Sequence, residues 1–197
     1  MKDAEAFLKQ LNNQVEDTAG SQDLDNQDEA DQGLLASELA YQVEAKAVAL
    51  LAMREHGGRE LRQKLRQKFP ESVELLQQYD VQCGDVERII GLVLEKCRVN
   101  NWQSDQRYVE QAVQSYLGKG HGPMKIAQKL KQTCADSGLI DAELDLGDEE
   151  WLMQARAVLE KKYGDTVKPS SRNEQGRRMR FLQSRGFPPG LIWKAFD

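Results

Sequence analysis

Residues 47–68, AVALLAMREHGGRELRQKLRQK, repeat themselves 65 positions later as residues 112–133, AVQSYLGKGHGPMKIAQKLKQT. Eight of the 22 aligned positions are identical: Ala47/Ala112, Val48/Val113, His56/His121, Gly57/Gly122, Gln63/Gln128, Lys64/Lys129, Leu65/Leu130 and Gln67/Gln132. Within each copy the apolar residues recur every three or four positions, the mark of an amphipathic helix. The Gly and Pro residues around His56 and His121 cut each copy into a longer helix, a turn and a shorter helix. A period of this length is the signature of a repeat architecture, in which each unit covers its apolar face with its neighbour.

Working outward, the string Val93-Leu94-Glu95-Lys96 returns at the same offset as Val158-Leu159-Glu160-Lys161. At an offset of 66, Gly120, Pro123 and Ile126 are matched by Gly186, Pro189 and Ile192. The cleanest single stripe is Val86, Ile89, Ile90, Val93, Leu94 and Cys97 within Asp85–Arg98. Helical periods also run over Asp105–Leu117, Pro123–Cys134, Asp148–Tyr163, Gln175–Ser184 and Pro189–Phe196, and no stretch alternates as a strand does. The expected fold is all-α: tandem three-helix modules stacked into an elongated, curved, solenoid-like body. The expected divisions are an acidic, largely disordered tail over 1–36, modules over 37–103 and 104–169, and a truncated third module over 170–197. In the tail, Asp3–Leu11 could form a short helix, whereas Asn12–Gly33 is too polar to bury a core.

Composition narrows the function. The chain has 197 residues and a net charge of −5. Residues 1–45 carry two lysines against eleven acids, a balance of −9, while residues 46–197 carry 25 basic and 21 acidic side chains, a balance of +4. The acidic beginning therefore conceals a basic body. No apolar run approaches the roughly 20 residues of a membrane span, and residues 1–5 lack the basic start of a secretory leader, so a cytoplasmic address is expected; a monomer is expected too, though the sequence leaves oligomeric state open. Cys83, Cys97 and Cys134 form neither a CxxC pair nor an even set, which points away from disulfides and zinc.

Catalytic readings fare poorly. The turn Gly118–Pro123 lacks the GxxxxGK[ST] pattern of a phosphate loop and reads as a helix-to-helix turn. His56 and His121 belong to different repeats and read as helix-ending residues favoured by the dipole. The cluster Asp148-Glu149-Glu150 suits a helix start for the same reason, and Trp102, Trp151 and Trp193 read as packing residues. No catalytic residue, metal ligand or cofactor site is expected. The basic residues are more informative, because they recur on the short helices. Arg59, Arg62 and Arg66 lie on one face, Lys125 and Lys129 repeat the theme, and Arg178 and Arg185 continue it. These seven are the candidate partner-binding residues, since aligned cations focus positive potential.

Several strings carry a family resemblance. They are Leu50–His56, Glu60–Leu65, Asp105-Gln106-Arg107-Tyr108-Val109, Lys119–Ile126, Trp151/Ala155 ahead of Lys161-Lys162-Tyr163-Gly164, and Arg180–Phe187. In order and spacing the chain resembles the RecX family of bacterial RecA regulators over about residues 43–197. The resemblance implies tandem three-helix repeats and a protein without enzymatic activity or cofactor. It further implies binding in the groove of the RecA filament on single-stranded DNA, limiting assembly, ATP hydrolysis and strand exchange, with an influence on the SOS response. The long acidic tail and the segment Pro70–Gly84 depart from the family core. A direct single-stranded-DNA-binding protein and a protein-interaction scaffold are the alternatives.

Overall fold

A computed structural model describes residues 29–196, and every regular element among them is helical. The helices are α1 (residues 29–35), α2 (Glu38–Met53), α3 (Gly58–Lys68), α4 (Val73–Tyr79), α5 (Asp85–Val99), α6 (Asp105–Gly118), α7 (Pro123–Thr133), α8 (Ser137–Glu143), α9 (Asp148–Tyr163), α10 (Arg172–Arg185) and α11 (Pro189–Lys194). The expected short helix at Asp3–Leu11 and most of the acidic tail lie outside the described residues.

Local chemistry sets the helix ends. Ser72 and Ser104 cap α4 and α6, accepting from the N–H groups of Leu75 and Arg107, and Asp136 caps α8 by accepting from Gly138 and Leu139. Such caps satisfy donors that have no partner within the helix. Pro123 opens α7 in the position where its missing N–H costs nothing. Gly186 closes α10 with φ of 93°, a left-handed conformation that glycine adopts freely.

The chain divides into two compact units. The first, residues 29–47 and 65–96 among those described, buries Leu39, Val43, Phe69, Ile89, Ile90 and Val93. Here the structure departs from the expected tail boundary. Residues 29–35 are helical, and the Asp31 carboxylate takes a 2.6 Å bond from Arg88 Nε. An ion pair to α5 thus ties down the end of a segment whose polarity alone argued for disorder. Two further pairs, Arg66–Glu87 and Lys96–Glu44, lie in this unit.

The second unit, residues 48–64 and 97–196, is built on a core of Val109, Val113, Ile126, Leu130, Trp151, Leu159, Leu182 and Phe187. Its turns meet through main chain. Gly122 donates its N–H to the Arg185 carbonyl at 2.8 Å, and Met124 donates to the Gly186 carbonyl at 3.1 Å. A methyl group on Gly122 would lie 2.6 Å from the Gly186 carbonyl carbon, so only glycine fits this contact. Gly57, its counterpart 65 residues earlier, meets the backbone of Thr133 in the same way.

The tryptophans divide. Trp151 is buried, with its indole N–H directed at the Leu144 carbonyl at 3.3 Å, whereas Trp102 and Trp193 are 43% and 61% exposed. Core packing therefore holds for one of the three. Among the described residues no helix is long and apolar enough to cross a membrane.

Candidate functional site

The described residues contain no group of three or more side chains suited to hold a metal ion. The two histidines are neutral packing residues. His56 is buried with Nδ1 2.9 Å from the Arg54 carbonyl, and burial holds its pKa below the usual value. His121 has Nδ1 buried without a hydrogen-bond partner and meets the Tyr116 ring edge-on at 5.7 Å. Burial is again the largest cause of a lowered pKa, followed by the charges of Lys125, Arg185, Lys129 and Lys119. A neutral ring gains little from a helix dipole, so packing replaces the charge-based reason expected for both positions.

Those same four cations define a site. Lys119 leaves the end of α6, Lys125 and Lys129 lie one turn apart on α7, and Arg185 ends α10. The packing of Gly122 on Gly186 draws them together. Lys125 Nζ donates to the Ser184 carbonyl at 3.0 Å, at the negative end of the α10 dipole. Arg185 donates to the Lys119 carbonyl at 3.1 Å and lies over the Phe181 ring at 5.2 Å. Lys119 and Lys129 both approach the Tyr116 ring, at 5.4 and 5.6 Å. Backbone carbonyls and aromatic rings hold these cations in place, and among the described residues none of the four is paired with a carboxylate.

The other candidates are placed differently. Arg59 donates to the Lys131 carbonyl at 2.9 Å and serves as an end cap for α7. Arg62 is half-buried and has partners within the fold. Arg66 grips both oxygens of Glu87 at 2.6 Å, so its charge is met internally. Arg178 is committed most fully. Its side chain is 12% exposed, bound to Asp165 at 2.7 Å and Glu174 at 3.3 Å, and set over the Tyr163 ring at 4.8 Å. Of the seven, Lys125, Lys129 and Arg185 come together. Lys119, absent from that set, belongs with them, and the glycine turn that contains it conceals the fact in sequence.

Adjacent to the cluster is a groove of about 470 Å³ among α6, α9 and α10. Leu117, Ala157, Val158 and Phe181 line it, with Lys119, Lys161, Lys162 and Arg185 around them. A second hollow of about 400 Å³, lined also by Lys119 and Tyr116, contains Arg54, Glu55 and Glu60, where opposite charges meet. A cluster of cations with no paired carboxylate attracts anions, whether phosphates or carboxylates.

Comparison with known proteins assigns the scaffold. Residues 104–144 match the second three-helix domain of RecX, and residues 148–196 match its third. A regulatory protein RecX from Halorhodospira halophila is 37% identical over 149 residues, covering 76% of this chain and 83% of the relative. The chain belongs to the RecX family. The regulatory protein RecX of Acidithiobacillus ferrooxidans is 36% identical over 143 residues, covering 73% of this chain and 81% of its own. The crystal structure of RecX from Lactobacillus salivarius superposes with a TM-score of 0.59 at 18% identity, over 80% of this chain and 94% of that one, and shows the common fold. The family's domain boundaries group α6–α8 and α9–α11, so the cluster draws Lys119, Lys125 and Lys129 from the second RecX domain and Arg185 from the third.

Proposed function

We propose that this RecX-family regulator acts on the RecA recombinase, binding its filament on single-stranded DNA and limiting assembly, ATP hydrolysis and strand exchange. The observation that carries the reading is the cluster of Lys119, Lys125, Lys129 and Arg185, none paired with a carboxylate among the described residues, seated where the second and third RecX domains meet. Its cations face the carboxylates or phosphates that a nucleoprotein filament presents. The protein works in the cytoplasm as a monomer by occupying this surface, without turnover and without a cofactor.

The test is the single-stranded-DNA-dependent ATPase of the cognate RecA, titrated with this protein up to equal stoichiometry. Substoichiometric inhibition is expected, weakened by the Lys125→Glu/Lys129→Glu double variant while helical circular dichroism is unchanged. These positions are better suited than Arg62 and Arg66, because reversing Arg66 also breaks its pair with Glu87. No inhibition at equal stoichiometry overturns the proposal. Tight binding to single strands without RecA, lost steeply as salt rises, would favour a direct DNA-binding protein instead.

A further inference from the structure

The groove beside the cluster has a chemistry of its own. Gln154, Val158 and Lys161 succeed one another at spacings of four and three along α9 and therefore share a helix face, which forms one wall. The interior is aliphatic, from Leu117, Ala157 and Val158, and closes on Phe181. Around it Lys119, Lys161, Lys162 and Arg185 are all positive, and no acidic residue lines the space. Lys161 and Lys162 are exposed in the last turn of α9, and none of the four is paired with a carboxylate among the described residues.

We infer that this groove is a docking site for an acidic peptide segment of a protein partner, one large apolar side chain entering between Val158 and Phe181 while flanking carboxylates meet Lys119, Lys161, Lys162 and Arg185. Charge complementarity selects the occupant. A volume of about 470 Å³ is ample for one Leu- or Phe-sized side chain, and such a buried anchor with a charged rim is the usual form of a peptide hot spot. Single-stranded nucleic acid fits the interior less well. Base stacking needs an open aromatic face, and the Phe181 ring has Arg185 over it at 5.2 Å and Tyr163 against it at 5.6 Å. The rest of the interior, from Leu117, Ala157 and Val158, is aliphatic.

This inference depends on the regulator reading only for the origin of the peptide, and its test contains no recombinase, so either can fail alone. The full-length protein is titrated, near physiological salt, into three fluorescent probes. One is an acidic peptide of about a dozen Asp and Glu residues with a central Leu; the second has Ser in place of that Leu; the third is an oligothymidylate of similar length. Ala157 is exposed, so Ala157→Phe fills the groove without disturbing the core, and Lys161→Glu/Lys162→Glu reverses part of the rim. The expected result is binding of the Leu peptide, weakened at least about tenfold by the Ser probe and by each variant. Equal affinity for the Leu and Ser peptides, or for wild type and Ala157→Phe, overturns the inference by reducing binding to bare charge. Binding of oligothymidylate with none of the peptide overturns it as well.

Discussion

The carboxylate of Asp105 accepts a 2.7 Å hydrogen bond from the backbone N–H of Gly58, 47 residues earlier in the chain. The same oxygen accepts from Gln103 Nε2 at 2.8 Å, and that amide also donates to the His56 carbonyl at 3.2 Å. One side chain thus satisfies a free donor at the start of α3 from a distant turn. Two residues on, Arg107 binds Glu55 and Asn101, both at 2.7 Å. The string Asp105-Gln106-Arg107 has a structural purpose independent of any partner.

Replacing Asp105 with Ala strands the Gly58 N–H and takes one of its two acceptors from the Gln103 amide, and is expected to cost about 1–3 kcal/mol. Asp105→Asn keeps an acceptor and recovers most of it. Urea midpoints of the two variants, compared at equal slope, check this; equal stability of Asp105→Ala and wild type refutes it.

At Gly122 the prediction concerns space. An added methyl group lies 2.6 Å from the Gly186 carbonyl carbon and 2.7 Å from Phe187 N, so Gly122→Ala must part the two turns. A loss of about 1–3 kcal/mol is expected, together with weaker binding at the cluster, because Lys125 and Arg185 are held by the same contact. Thermal melting and the peptide titration read the two effects separately.

Both histidines have folded-state pKa values below 6.5, with burial the first cause. The unfolded chain therefore takes up protons first as pH falls. The stability these rings contribute is complete above 6.5 and is lost as pH drops from there through their folded-state values. His121→Gln should flatten this part of the stability profile. An anion held by Lys119, Lys125, Lys129 and Arg185 should raise the His121 pKa, which the shift of its imidazole proton resonance would report.

The cysteines should differ in reactivity. Cys83 is exposed, whereas Cys97 and Cys134 are buried, and burial pushes the Cys134 thiol up to about 11. A thiol reagent at neutral pH should label Cys83 alone in the native protein and all three after denaturation. Rapid labelling of Cys134 in the native state would contradict the packing described.

Period alone announces the longer helices. Asp148–Tyr163 reads directly from sequence, and the stripe from Val86 to Cys97 marks α5 to within a residue. Missing from that reading are α1, α4 and α8. At seven residues, α4 and α8 give an apolar period barely two turns to show in, and neither has the opening proline that announces the comparably short α11; α1 is hidden by acidic composition. The site was only half legible for a different reason. Sequence reveals that Arg66 and Arg178 are cations, but their partners Glu87 and Asp165 are 21 and 13 positions away and become neighbours only on folding. Lys119, Lys161 and Lys162 have the opposite history: in sequence they belong to a turn and a helix end, and the fold turns them into the rim of a groove.

The joint between Gly122 and Gly186 consists of main-chain atoms, and peptide groups are common to every sequence. So long as two glycines persist, selection can recolour the surrounding side chains, exchanging cations for other chemistry, without moving the hinge on which they are displayed. The scaffold and its recognition surface can then evolve on separate clocks, as a socket keeps its shape while the pins are changed.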